Sequence, residues 1–101
     1  MKSATVLSFV IISFCSFTNF QERKADVNKG REVFESKCAK CHGSDGTKGK
    51  WGAKNLQVST LSDPDMRTII SNGKRIMPAW GKRLTDDEMV SVIEYVKKLR
   101  R

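Results

Sequence analysis

Cys38, Ala39, Lys40, Cys41 and His42 spell C-x-x-C-H, a spacing with one specific chemical use. Two thiols three positions apart at a helix end can each add to one vinyl group of a haem. The residue after the second thiol then presents its imidazole to the iron. Other uses of C-x-x-C fit this chain poorly. A thioredoxin-like redox pair needs a βαβ context, and no stretch here reads as a strand. A zinc site needs four ligands, yet His42 is the single histidine and no second cysteine pair exists to complete the set. A plain Cys38–Cys41 disulfide is the bland alternative. Covalent attachment of haem c is the reading the motif favours.

An iron held by His42 needs a sixth ligand or an open position, and that choice separates a carrier from an enzyme. With no second histidine, methionine is the remaining soft donor. Met1 would leave with a signal segment, while Met66 and Met89 lie on apolar helical stripes and suit a core. Met77 sits in Asn72-Gly73-Lys74-Arg75-Ile76-Met77-Pro78-Ala79-Trp80, a non-helical segment in which Pro78 fixes the adjoining backbone. Met77 is therefore the expected axial partner of His42, with a gap-filling role as its alternative. Such a thioether favours ferrous iron and raises the potential. Filling both axial positions also suits electron transfer and keeps substrate off the metal.

The elements that must position these residues read as all-α. Asp26 is a candidate N-cap, and Val27, Gly30/Arg31, Phe34 and Cys38 recur at helical spacing up to about Cys41. Residues 43–61 break every period, with glycines at 43, 46, 49 and 52. A loop that long inside a small domain suggests that it wraps a ligand. Asp63 and Pro64 signal a second helix, as N-cap and first helical residue, with Met66, Ile69 and Ile70 as its apolar side and Gly73 as its stop. A third helix opens on a capping box, Thr85 with Glu88, stapled by Leu84 and Met89. Met89, Val92, Ile93, Val96 and Leu99 line its inner side, and Lys97, Lys98, Arg100 and Arg101 complement the dipole at its end.

Length and charge set the surroundings. The chain has 101 residues and a formal net charge of +8, enough for one domain with a basic field. Its positive residues are spread out and not interleaved with aromatics, so nucleic acid is the weaker partner class. Residues 1–20, MKSATVLSFVIISFCSFTNF, combine a basic start at Lys2 with an apolar stretch to Phe17, as in a secretory signal. Cleavage, lipidation at Cys15 or retention as an anchor all place residues 21–101 outside the cytoplasm, in the periplasm first of all, with or without a membrane tether. A domain of this size gains from a large bound cofactor.

On these features the sequence resembles the class I cytochrome c family, which includes mitochondrial-type and soluble photosynthetic members. The resemblance spans residues 26–101. It rests on Asn28–Phe34 leading into Cys38-Ala39-Lys40-Cys41-His42-Gly43, on Ile76-Met77-Pro78, and on the last helix containing Tyr95. The compact bacterial and photosynthetic members are the nearer match. The resemblance implies three to four helices wrapped around one covalent haem, with Gly30 allowing the first and last helices to cross and Phe34 packing on Tyr95. It implies an electron carrier and no enzyme, exchanging electrons with respiratory or photosynthetic complexes or periplasmic oxidoreductases. A small haem peroxidase would need a distal acid–base pair that the sequence lacks. A gas sensor would need a Met77 that yields to ligands. Lys37, Lys40, Lys48, Lys74 and Lys82 would ring the exposed haem edge and steer it onto acidic docking patches, with association weakening as salt rises. Trp51 and Trp80 would border the pocket, by packing or through an indole N–H on a propionate. One departure stands out. The family's loop after C-x-x-C-H carries a proline whose carbonyl orients the histidine, and residues 51–56 contain none. Some other carbonyl must serve.

Overall fold

Helix α4 (Asp86–Leu99) carries the stripe on which the rest of the molecule packs. The computed structural model describes residues 25–101, so the expected targeting segment and Cys15 lie outside the described residues. Both halves of the capping box are formed: Glu88 N–H donates to Thr85 Oγ1 at 3.1 Å and Thr85 N–H to Glu88 Oε1 at 2.8 Å. Leu84 and Met89, on either side of the cap, are both buried. Met89, Val92, Ile93 and Val96 follow on the buried side, as their spacing requires. The end of α4 carries its expected basic residues, Lys97 and Lys98 in the last turn, and its cations also make ties to neighbouring segments. Lys97 pairs with Glu94 and Asp63, each at 3.0 Å. Arg100 folds back to donate to the Leu61 carbonyl at 2.7 Å, and so acts as a tie to the loop before α3.

Helix α1 (Val27–Val33) is capped by the Asp26 carboxylate, which accepts from Asn28 and Lys29 N–H at 2.9 and 3.3 Å. It crosses α4 at Gly30. A Cβ there would run into the Ser91 carbonyl and lie 3.0 Å from Tyr95 Cβ, so only glycine lets the two backbones meet. Phe34 is fully excluded from water and meets Tyr95 with ring centroids 5.4 Å apart at 49°. Both family expectations for this crossing therefore hold.

The expected continuous helix to Cys41 is interrupted. After Val33 the chain widens into a π turn, Phe34–Cys38, in which Ala39 N–H donates to the Phe34 carbonyl, before α2 (Ala39–His42) resumes. One extra residue per turn rotates everything downstream, so the thiols and imidazole face a direction that regular α spacing from Phe34 would not give. The next helix, α3 (Asp63–Asn72), starts one residue earlier than read from the sequence. Ser62 is its N-cap, accepting from Asp65 N–H at 3.2 Å. Asp63 becomes the first helical residue, where its charge suits the dipole and reaches Lys97. Pro64 still falls in the first turn, where no partner for its nitrogen is needed.

Met66 and Ile70 from α3 complete one core with Val33, Phe34, Leu84, Met89, Val92, Ile93 and Val96. Among the described residues there is no strand, and the four α-helices agree with an all-α fold. Residues 43–61 form the expected irregular loop, shaped by two short 3₁₀ turns, Lys50–Gly52 and Leu56–Val58.

Candidate functional site

Helix α2 is four residues long; it holds two of the four expected site residues, Cys41 and His42, and is capped by a third, Cys38. Cys38, at its start, and Cys41 are half-buried and unbonded thiols. Burial, with a smaller contribution from neighbouring Cys41, pushes the Cys38 thiol up to about 11 despite Lys37 nearby. His42 is half-buried, and burial pulls its pKa below 6.5 against the opposing pull of its backbone hydrogen bond. That bond runs from Nδ1 to the Lys54 carbonyl, 3.1 Å away. A neutral ring donating from Nδ1 leaves its lone pair on Nε2, free for a metal. The Lys54 carbonyl thus stands where the family uses a proline. The sequence could not name it, because a backbone acceptor carries no residue-type signal.

Met77 lies on the second loop. Its N–H and carbonyl pair with Lys74 at 3.0 and 3.2 Å, closing a tight turn. Arg75 inside that turn has φ 57°, a left-handed conformation that a side chain adopts at a cost. The turn folds back over Gly73, the expected stop of α3, whose φ is 76°. A Cβ on Gly73 would meet the Met77 carbonyl at 2.5 Å and Ala79 N at 3.0 Å. At the far end, Trp80 and Gly81 N–H donate to the Ile70 and Ser71 carbonyls at 2.8 and 3.1 Å. The last turn of α3 would otherwise leave those acceptors unused. The segment bearing Met77 is therefore pinned at both ends to α3.

The two loops share one core. Cys38, Ala39, Leu56, Met77, Trp80, Tyr95 and Leu99 all pack against it while staying partly exposed. Lys37, just before the first thiol, places its ammonium 5.6 Å from the Trp80 ring centre, and the Arg83 guanidinium lies 5.2 Å from the same ring. Cation–π contact thereby links the C-x-x-C-H end to the Met77 segment. Met66 and Met89 are only 4% and 3% exposed and belong to the core. Trp51 and Ile76, each 64% exposed, and Val58 at 67% place apolar surface on the loops bearing the Lys54 carbonyl and Met77. Lys37, Lys40, Lys48, Lys74 and Lys82 are all exposed.

This donor set fits a covalently held haem: two free thiols at the attachment spacing, an imidazole oriented through Nδ1, and a half-buried thioether on a fixed turn. Comparison with known proteins decides the family. A model described as cytochrome C oxidase, cbb3-type, subunit III matches residues 25–96. Cytochrome c6 from Pyropia yezoensis is 35% identical over 98 residues, covering 91% of this chain and 84% of that protein. Cytochrome c6 from Leptolyngbya boryana is 40% identical over 78 residues, covering 71% of this chain and 91% of that one. The solved cytochrome c6 of the diatom Phaeodactylum tricornutum superposes with a TM-score of 0.61 at 31% identity, over 71% of this chain and 91% of its own.

The chain belongs to the class I c-type cytochromes.

As a member of that family, this cytochrome carries one covalently bound haem c and transfers electrons; it is not an enzyme. Two features of the site were invisible in the sequence: the Lys54 carbonyl and the π turn before Cys38. A third lies behind it. Ser91, fully buried on α4, accepts the Asp26 N–H at 3.0 Å and so seats the start of α1. Among the described residues no helix is long and apolar enough to cross a membrane.

Proposed function

We propose that Cys38 and Cys41 form the thioether links of this cytochrome, with His42 and Met77 as the axial ligands of its iron. The observation that carries this reading is the His42–Lys54 hydrogen bond, which fixes the proton on Nδ1 and leaves the lone pair of Nε2 available to a metal. Met77 supports it from the other loop, through a turn closed by two backbone hydrogen bonds. When bound, the haem supplies a one-electron couple, and a histidine–thioether pair biases that couple toward the ferrous state. The protein's own part is to hold both ligands still. The α3 carbonyls and the Lys74–Met77 turn fix the thioether, while the Lys54 carbonyl fixes the imidazole. No side chain near the ligands serves as an acid or a base.

Residues 1–20 direct export in this reading, and residues 21–101 form the cytochrome domain outside the cytoplasm. The exposed lysines at 37, 40, 48, 74 and 82 orient it toward redox proteins with acidic docking surfaces, such as respiratory or photosynthetic complexes.

The test is visible spectroscopy of the native exported protein and of Met77→Ala, with acid–acetone extraction carried out on separate samples. Haem that stays with the chain, and a methionine–iron charge-transfer band lost in the variant, are the expected results. Extractable haem would refute the thioether assignment, and a band that survives the substitution would refute Met77 as ligand.

A further inference from the structure

The chain leaves His42 through residues 43–48 and returns to it through residues 53–57, and hydrogen bonds between the two segments close a ring around the imidazole's acceptor. Lys48 N–H donates to the His42 carbonyl at 2.7 Å, and Gly46 N–H to the Gly43 carbonyl at 3.1 Å. Leu56 N–H then donates across to the Gly46 carbonyl at 2.9 Å. Next to it, the Gln57 side-chain amide donates from Nε2 to the Asp45 carbonyl at 3.0 Å. Asn55 Oδ1 accepts the Gln57 backbone N–H at 2.9 Å, and the Gln57 carbonyl accepts Arg101 N–H at 2.9 Å. Gln57 is thus bonded through its N–H, its carbonyl and its side chain. Lys54 lies just before these anchors, with its carbonyl on His42 Nδ1.

We propose that Gln57 is the positioning residue for the axial imidazole. By holding residues 53–57 against Asp45, its side chain sets where the Lys54 carbonyl meets Nδ1–H. The inference rests on the reading of His42 as an iron ligand. Without a proline in residues 51–56, no ring fixes a backbone dihedral there. The position of the acceptor is then decided by hydrogen bonds, and Gln57 provides the side-chain bond that spans the two segments. A carbonyl on Nδ1–H makes a ligating imidazole more basic and favours the higher oxidation state. A loosened loop weakens that bond, so the reduction potential rises.

The experiment uses the haem-loaded protein and Gln57→Met, which keeps the side-chain length and removes the donor. Reduction potential and the exchange rate of the His42 Nδ1 proton, followed by NMR in the ferrous protein, are the readouts. Amides at the crossing of α1 on α4 serve as the internal reference. The variant should shift the ferrous-to-ferric ratio about threefold at fixed poise, roughly 28 mV at 59 mV per decade for one electron. The Nδ1 proton should exchange several-fold faster while the reference amides keep their protection. An unchanged potential and exchange rate would overturn the proposal. A change that appears only together with loss of protection at the α1–α4 crossing would overturn it too, because Gln57 would then be merely structural. In wild-type ferric protein, ring nitrogens of His42 without the hyperfine shift of a ligand would mean that the ligand assignment itself fails. With that shift present and Gln57→Met silent, only the positioning role fails.

Discussion

At the crossing of α1 on α4, Phe34 and Val92 are fully excluded from water and Gly30 brings two backbones into contact. Around His42 the picture reverses: within residues 43–61 only Gly46 is buried, and the loop is held by backbone and amide hydrogen bonds. The crossing draws its strength from apolar area and close packing, which fail together when a side chain no longer fits. The loop draws its geometry from single hydrogen bonds, each modest in net worth and open to exchange with water. A carrier gains from this division. Its scaffold persists through many turnovers, while the ligand environment can be tuned without unfolding the domain.

The largest effect should come from the scaffold. Gly30→Ala forces a methyl group against the Ser91 carbonyl and should cost about 2–3 kcal/mol. Denaturant unfolding would show it as a lower midpoint, with the methionine–iron band intact until the global transition. If that band is lost first, the two regions are not separate. Next in size is Arg75→Val, which places a β-branched side chain at φ 57° in the Met77 turn. Such strain costs about 1–2 kcal/mol and is confined to the loop. The band should therefore weaken on heating before the far-ultraviolet signal of the helices falls, and coincident transitions would contradict the division. The smallest effect concerns Lys97, at the outer rim of the scaffold. Hydrogen bonds to Glu94 and then Asp63 raise its pKa above 10.5. Folding therefore favours the charged amine, so the contribution is complete below pH 10.5 and fades as pH rises through the higher folded value. Lys97→Met should lower Tm slightly at neutral pH, and the difference from wild type should close in strongly alkaline buffer. A gap that stays constant with pH would assign the effect to the packing of the side-chain stem.

Much of this was legible in the chain because the signals are local. The Thr85–Glu88 capping box, the stop at Gly73 and the stripe of α4 each depend on residues within a few positions of one another. Ser62 was missed as the cap of α3 because Asp63 next to it is an equally good capping residue. The widened turn at Phe34–Cys38 left no mark, since the apolar spacing through Cys38 also satisfies a regular helix.

By itself the sequence determined the attachment motif, the scarcity of histidine that leaves methionine as the second donor, and an all-α scaffold, because residue type and short spacing carry that information. Only the tertiary structure decided which carbonyl meets His42, how Ser91 seats Asp26 from 65 positions away, and how Gln57 ties two loop segments together. Those choices belong to backbone atoms and to long-range proximity. Every residue carries the same backbone acceptor, so no pattern of side chains can announce which one the fold will use.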